Sequence, residues 1–544
     1  MSSLHEQVDA WLEQDPDEDT RAELAALHET AASDGAAAAE LADRFAGRLE
    51  FGTAGLRGAL GAGPNRMNRV VVAQAAAGLV AYLDGEDRDG PVVVGHDARH
   101  RSDVFARDTV ELVAASGRRA LLLPGPLPTP VLAFAIRHLG CAAGVMVTAS
   151  HNPRADNGYK VYLGDGSQIV PPADAGIAAA IAAVGRVDAL PRSSDWELLD
   201  AGVAAAYVDA VAGLDPAAPG PPLRVVHTSL HGVGAATVRA VLARVGGVEL
   251  HEVPQQSEPD ADFPTVPFPN PEEPGALDLA LELADRVGAD LVVANDPDAD
   301  RCAVAVPAAR GWHPLSGDEL GVLLGDDALR RGVGGTFATT IVSSSLLGRM
   351  CAAGGAPYVE TLTGFKWLGR VPGLVYAYEE ALGYCVAPQI AADKDGISAA
   401  VRVLALAREL RGRGASLLDR LDEIAADHGV HATDQLSVRV ADVALVADLL
   451  ARLRSAPPTT LGGLEVLQVD DLGAGSSDLP ATPGLRLRLR HGARVVIRPS
   501  GTEPKLKCYL EVVLAPAGAV PAARTAAADR LAAVRRDLAA ALGV

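Results

Sequence analysis

A chain of 544 residues is too long for one hydrophobic core and points to three or four domains. Its formal charge of −21 argues against nucleic-acid or anionic-membrane partners, while 49% hydrophobic and 22% charged residues are the proportions of an ordinary globular protein. Five cysteines without a CxxC spacing leave no disulfide frame and no zinc site, which fits a reduced, cytoplasmic chain. The opening residues lack the basic and apolar regions of a signal peptide. The longest apolar stretch, residues 70–83, is interrupted by Gln74 and is too short to span a bilayer.

Residues 1–46 are acidic, Ala-rich and spaced as helices that pack on the outside. Next comes Phe51-Gly-Thr-Ala-Gly-Leu-Arg-Gly58, a glycine-dense loop with one cation, Arg57. Glycines let backbone approach a ligand closely, although a plain turn would read the same way. Residues 74–83 read as a helix, 92–95 as a strand, 96–102 as a polar loop and 104–116 as a helix. Further strands fall at 120–123 and 142–147, with a helix between Pro130 and Leu139. This alternation predicts a mainly parallel, helix-covered sheet. The strand at 142–147 runs into Thr148-Ala-Ser-His-Asn-Pro153, where Asn152-Pro153 forces a turn. Ser150 and His151 are thereby offered at a strand end, where open α/β sheets place reactive groups.

A Pro-rich link over 214–222 introduces a second α/β unit, with a strand at 223–227 and then His231-Gly-Val-Gly234. The third glycine of a dinucleotide fingerprint is missing, so this is a tight turn from strand to helix. After a strand at 290–294 comes Asn295-Asp-Pro-Asp-Ala-Asp-Arg301. In extended backbone Asp296, Asp298 and Asp300 would share one face and repel unless a cation sits among them. An all-oxygen set suits Mg²⁺ or Ca²⁺. An EF-hand is ruled out, because positions six and twelve of the loop are Arg301 and Pro307.

A third unit starts near Trp312, with a helix at 317–329 and a strand at 338–342. Thr361-Leu-Thr-Gly-Phe-Lys-Trp367 follows, then a strand at 375–378 running into Glu379-Glu-Ala-Leu-Gly383, and Lys394-Asp-Gly396 opens a long helix. Two carboxylates at a strand end suit sugar hydroxyls or plain solvent equally. The last unit has strands at 435–440, 464–469, 485–489, 495–497 and 506–513 and helices at 443–454 and 522–542, a small α+β domain. Its loop Arg498-Pro-Ser-Gly-Thr-Glu-Pro-Lys505 combines two cations, hydroxyls and a glycine, a good anion cradle that is not a Walker A loop.

Taken together, Thr-Ala-Ser-His-Asn-Pro, Asp-Pro-Asp-Ala-Asp-Arg, Glu-Glu-Ala-Leu-Gly and Arg-Pro-Ser-Gly-Thr-Glu-Pro resemble the four signature loops of the α-D-phosphohexomutase superfamily, in that family's order and one per domain. Phe-Gly-Thr-Ala-Gly-Leu-Arg-Gly and Asn65-Arg-Met-Asn68 resemble its branch of bacterial phosphoglucomutases/phosphomannomutases and glucose- and pentose-phosphate mutases. The resemblance implies three similar mixed α/β domains and a C-terminal α+β domain around a central cleft. The expected boundaries are 1–205 with a phosphoserine loop, 206–311 with a Mg-binding loop, 312–431 with a sugar-binding loop and 432–544 with a phosphate-binding loop.

By that resemblance Ser150 carries a phosphoryl group, and Asp296, Asp298 and Asp300 hold one Mg²⁺ with it. Arg57, His151 and Lys160 match positions beside the transferring group, with Lys160 or His151 helping to move the sugar proton. Arg301, Thr363, Gly364, Lys366, Glu379, Glu380 and Lys394 match substrate-contacting positions. Arg498, Ser500, Gly501, Thr502 and Lys505 match the phosphate clamp. The implied reaction interconverts hexose 1- and 6-phosphates, glucose 1-phosphate first, through a bisphosphate such as glucose 1,6-bisphosphate. Phosphomannomutase, phosphopentomutase and glucose 1,6-bisphosphate synthase are the alternatives. Hexomutases with a Gly-Glu-x-Ser-Gly-His loop have Ser and His where this chain has Leu382 and Tyr384, so sugar contacts differ here. A monomer or small homo-oligomer is expected.

Overall fold

The computed structural model of the protein describes residues 3–52, 55–215, 221–439, 443–476, 479–499, 505–515 and 519–544. The chain forms two compact units, Met1–Pro314 with Gly383–Arg408, and Leu315–Leu382 with Glu409–Val544.

The first unit opens with helices Leu4–Gln14, Glu18–Ala31 and Gly35–Arg44. The side chains of Ser3, Asp17 and Asp34 cap them by accepting first-turn N–H groups. Val8, Trp11, Leu24 and Leu41 turn inward onto the first core. The six-stranded sheet beyond them runs, in spatial order, Leu56–Ala59, Asp156–Leu163, Ala143–Val147, Val92–His96, Ala120–Pro126 and Glu197–Leu198. Its last four strands are parallel, as expected. Asp156–Leu163 pairs antiparallel with both neighbours, an element absent from the expected strands. Helix Arg69–Gly85 also begins earlier than the expected residue 74. Asn68 caps it, accepting from Val71 N–H at 3.0 Å while its amide donates to the carbonyls of Gly61 and Gly63. That helix is buried almost all round, which is why its sequence is the longest apolar stretch of the chain.

The second sheet of this unit orders Gly311–Pro314, Ala303–Ala308, Leu291–Ala294, Leu223–Thr228 and Val248–Glu252. Its last three strands are parallel, and Leu291–Ala294 runs into the Asp296 loop. The turn at His231-Gly-Val-Gly234 packs directly on that loop, since a Cβ on Gly232 would lie 2.2 Å from the Cα of Pro297. Only glycine allows so close an approach.

In the second unit, strands Tyr358–Thr361, Thr336–Thr340 and Leu374–Glu379 lie parallel in that order. The last sheet is antiparallel throughout, in the order Val430–Arg439, Lys505–Leu514, Arg494–Pro499, Leu485–Leu489, Leu464–Asp471 and Thr460–Leu461. Leu485, Leu487, Val495, Ile497, Leu506 and Val512 form its apolar layer with Leu531, Val534 and Leu538 of helix Val520–Leu542. The architecture is therefore three mixed α/β domains and a C-terminal α+β domain. No described helix is long and apolar enough to cross a membrane.

Candidate active site

Strand Ala143–Val147 is buried along its length, so the chain reaches Thr148 already fixed. Thr148 N–H donates to Gly158 O at 3.1 Å, and Asn152 N–H closes a turn on Ala149 O at 3.1 Å. Ser150 sits at φ 52°, the left-handed region that disfavours a side chain. The Thr148 hydroxyl accepts from Ser150 N–H at 2.9 Å and so rewards that geometry. Ser150 is 3% exposed, and its Oγ donates to Asp296 Oδ2 at 2.6 Å and lies 3.1 Å from His151 Nδ1.

The three aspartates converge differently from the expected extended face. Residues 296–299 form a tight turn in which Ala299 N–H donates to Asp296 O at 2.8 Å and Ala299 adopts φ 55°. The convergence survives because a turn, rather than strand periodicity, aims the side chains. Asn295 braces the turn, its Nδ2 donating to Arg301 O at 2.7 Å and its Oδ1 lying 2.9 Å from His227 Nε2. The carboxylates are fully buried, and one oxygen of each lies within 4.8 Å of the others.

Lys160 Nζ donates to Asp298 Oδ2 at 2.7 Å and to Asp300 Oδ2 at 3.0 Å, and Lys394 Nζ is 3.1 Å from Asp300 Oδ2. Thr129 Oγ1 donates to Asp298 Oδ2 at 2.6 Å and Arg301 N–H to Asp296 Oδ1 at 3.0 Å. Asp298 Oδ1 and Asp300 Oδ1 remain buried without a hydrogen-bond partner. Unpaired carboxylate oxygens inside a protein are costly unless a cation takes them, so an all-oxygen set with two open oxygens fits a hard divalent ion. Burial, then the Asp298 and Asp300 charges, push the Asp296 carboxyl far above its usual range. Burial opposes ionisation of Asp298 too, but Lys160 overrides it and holds that group well below the usual range. Burial likewise works against the Lys160 ammonium, and the two carboxylates more than offset it. His151 is pushed well below its normal value by burial and by Arg301 and Arg57, so it stands as neutral imidazole.

The other expected residues of this unit surround the serine. Arg57 Nη1 donates to Asn152 Oδ1 at 3.1 Å, and Arg301 Nη2 approaches His151 Nε2 at 3.5 Å while its Nη1 pairs with Glu272 at 3.1 Å. Lys394, expected with the sugar loop, lies on the aspartates. Asp393 and Asp395 flank it, and they accept from Tyr162 OH at 2.9 Å and Tyr207 OH at 2.8 Å.

The second unit holds the remaining candidates. Glu379 ends strand Leu374–Glu379. Glu380 Oε2 accepts from Thr340 Oγ1 at 3.2 Å and Ser343 Oγ at 3.1 Å. Burial, then Glu379 and Asp318, push the Glu380 carboxyl up to about 7. A Cβ on Gly317 would meet Glu380 O at 1.8 Å, so the helix start and the Glu380 loop are in direct contact. Thr363 and Gly364 (φ 103°) precede the short helix Phe365–Leu368 that carries Lys366. Leu382 at φ 59° is buried, and in the first unit Tyr384 is buried as well. Arg498 and Lys505 sit on paired strands, Arg498 opposite Lys507 and Pro499 opposite Leu506. Ser500, Gly501 and Thr502 lie outside the described residues.

Sequence reasoning missed Arg99, which grips the serine loop, and Thr129, which orients Asp298 through both its hydroxyl and its N–H, the latter to Asp298 O at 2.9 Å. The available signal for Arg99 was a loop rich in charge directly after a fully apolar strand.

Models of phosphoglucomutase/phosphomannomutase α/β/α domains I, II and III match residues 48–187, 205–311 and 316–427, and the C-terminal domain model matches 437–537. The chain is 47% identical over 457 residues to the Haemophilus influenzae protein named "Probable phosphomannomutase", covering 82% of this chain and 93% of that one. It is 36% identical to the human phosphopentomutase (89% and 88% covered) and 32% identical to a Staphylococcus epidermidis phosphoglucomutase (85% and 90% covered). A phosphoglucomutase/phosphomannomutase family protein from Burkholderia thailandensis shares the fold, with TM-score 0.69, 22% identity and coverage of 90% and 97%. Such a chain is an intramolecular phosphotransferase, a phosphosugar mutase. It belongs to the phosphoglucomutase/phosphomannomutase family.

Proposed function

We propose that this protein interconverts the 1- and 6-phosphates of a hexose, glucose 1-phosphate being preferred, through a phosphorylated Ser150 and a bisphosphorylated sugar. The observation that carries the reading is the Ser150 hydroxyl 2.6 Å from a buried aspartate triad with two open oxygens. Asp296, Asp298 and Asp300 would hold Mg²⁺ with the serine phosphate, and the ion would offset charge on the transferring phosphoryl oxygens.

In the first half-reaction the Oγ–P bond of phosphorylated Ser150 breaks, its electron pair staying on Oγ, as the sugar hydroxyl oxygen bonds to phosphorus. The hydroxyl proton passes to His151, whose Nδ1 lies 3.1 Å from Oγ, and returns to Oγ to give back the serine hydroxyl. The bisphosphate then turns over and the steps run in reverse with its other phosphate. Lys160 keeps Asp298 ionised and bridges it to Asp300. Arg57 holds Asn152 of the same turn, and Arg301 borders His151. In the second unit Glu380, with Thr363, Gly364, Lys366 and Glu379 beside it in sequence, is assigned to the sugar hydroxyls. Arg498, Ser500, Gly501, Thr502 and Lys505 are assigned to the phosphate that is not reacting.

A pentose phosphate is the second reading. Burial of Leu382 and Tyr384 supports it, since neither stands in for the Ser and His of a hexomutase loop, as does the likeness to the human phosphopentomutase. The deciding experiment is coupled turnover of glucose 1-phosphate, mannose 1-phosphate and ribose 1-phosphate with Mg²⁺ and a trace of the matching bisphosphate. The highest kcat/KM on glucose 1-phosphate is expected. A higher value on another sugar overturns the substrate, and no turnover of any of the three overturns the mutase reading.

A further inference from the structure

Arg99 is 4% exposed, and every hydrogen bond of its guanidinium goes to the serine loop. Nη2 donates to Ser150 O at 2.6 Å and Asn152 O at 2.5 Å, while Nη1 donates to Pro153 O at 2.8 Å and Asp156 O at 3.2 Å. Asp97 Oδ2 lies 3.4 Å from Nε, and the Asp97 Oδ1 atom accepts from Arg99 N–H at 2.9 Å and Ser102 Oγ at 2.6 Å. One face of the guanidinium lies 4.9 Å from the ring centre of Phe263, which comes from the domain that carries the three aspartates. Nε stays without a hydrogen-bond partner, but the two Nη atoms are met by four carbonyls, which a planar fork can satisfy and a lysine ammonium cannot.

These four carbonyls belong to the residues that define the turn around Ser150. A non-glycine residue at φ 52° persists only where its surroundings over-determine it. Thr148 supplies one constraint, on the Ser150 N–H. Asn152 N–H on Ala149 O and the Asn152 side chain, held by Arg57 and Asp156, supply others, and Arg99 adds four, one bond on the carbonyl of Ser150 itself and three on the chain that leaves it. Fixing the backbone on both sides of Cα fixes the Cα–Cβ direction, and that placement of Cβ is what puts Oγ within hydrogen-bond reach of Asp296.

We propose that Arg99 is a positioning residue for phosphoryl transfer at Ser150, holding the serine loop in its left-handed turn while taking no part in sugar binding. The proposal rests on Ser150 as the phosphoryl carrier. Near-attack geometry is steep, and a displacement of about 1 Å can cost about 10²-fold in rate.

The test uses the full chain with Arg99→Lys and Arg99→Ala. Three quantities are read: the rate at which labelled phosphoryl moves from glucose 1,6-bisphosphate onto Ser150, the KM for the sugar monophosphate, and the rate of tryptic cleavage after Arg154, an exposed arginine in the gripped segment (side chain 69% exposed). Labelling is expected to slow by about 10²-fold in both variants with KM little changed. Cleavage after Arg154 should speed up in both, and added guanidinium ion should return part of the labelling rate to Arg99→Ala. If Arg99→Ala does not fold, Arg99→Lys carries the test, because it keeps the charge and loses the fork. Labelling of both variants at the wild-type rate, or a defect confined to KM, overturns the proposal alone. No labelling of the wild-type protein overturns the phosphoserine reading and the proposal with it.

Discussion

Asp298 and Glu380 are both carboxyl groups at loops that follow strands, and the protein shifts their proton affinity in opposite directions. Asp298 is kept ionised against its burial by Lys160 at 2.7 Å and by the Thr129 hydroxyl at 2.6 Å. Glu380 is met by the hydroxyls of Thr340 and Ser343, with Glu379 and Asp318 adding like charge, and its carboxyl titrates near 7. One region stores fixed charge, which suits binding a cation and a phosphoryl group. The other keeps a proton in reach at neutral pH, which suits a neutral hydroxyl that must be met by a donor or an acceptor. The difference lies in the partners that each sequence neighbourhood supplies, since burial pushes both groups in the same direction.

Removing the proposed phosphoryl carrier should have the largest effect: Ser150→Ala is expected to lose turnover by about 10⁴-fold or more in a coupled assay, the scale seen when a nucleophile is deleted. Residual activity close to wild type would mean that the charged region does not carry the reaction. Next, Lys160→Met removes one ammonium from two buried carboxylates, which should cost about 3–5 kcal/mol in urea unfolding. An unchanged midpoint would show that Asp298 is not held ionised by Lys160. Chelation should abolish turnover, and restoring Mg²⁺ to about 100 times its Kd should raise folding stability by about 2.7 kcal/mol, read as a shift in Tm. A Tm indifferent to Mg²⁺ would leave the open oxygens of Asp298 and Asp300 unexplained.

The smallest effect belongs to Glu380. A carboxyl whose pKa rises on folding binds its proton more tightly in the folded chain. Its stabilising contribution is therefore complete below the unfolded value of 4.5 and fades as pH climbs through about 7. Wild-type protein should lose about 2.5 kcal/mol of unfolding free energy across that window relative to Glu380→Gln. Parallel pH profiles for the two proteins would place Glu380 in the same electrostatic class as Asp298 and erase the contrast.

Much of this contrast could be read before the structure. Strand and helix alternation gave the sheets, because parallel strands covered on both faces are apolar runs with turn residues between them. The Ser150 and Asp296 loops stood out because each follows such a run. Three features were hidden, each for a physical reason. Strand Asp156–Leu163 begins with Asp-Asn-Gly, which reads as a turn, so Lys160 had no element to sit on. The aspartates meet through a turn with Ala299 at φ 55°, a conformation that alanine does not advertise. Arg99 was legible only as part of a polar loop because its four acceptors are backbone carbonyls 51 to 57 residues away, and carbonyls leave no mark in a sequence pattern. Glu380 could be named, but its titration could not, since Thr340, Ser343 and Asp318 come from other elements.

The return of Gly383–Arg408 to the first unit sets a timetable for synthesis. Ser150, Lys160 and the aspartates have all been made once residue 300 is added, yet Lys394, whose ammonium sits 3.1 Å from Asp300, is 94 residues further on. At about 5–20 residues per second the ribosome needs about 5–20 s to reach it. During that interval the nascent site holds three acidic groups against one lysine, and Tyr162 and Tyr207 wait for Asp393 and Asp395. A fragment ending at Pro314 is frozen in that interval, with the Ser150 loop complete and the pair of lysines beside it half made.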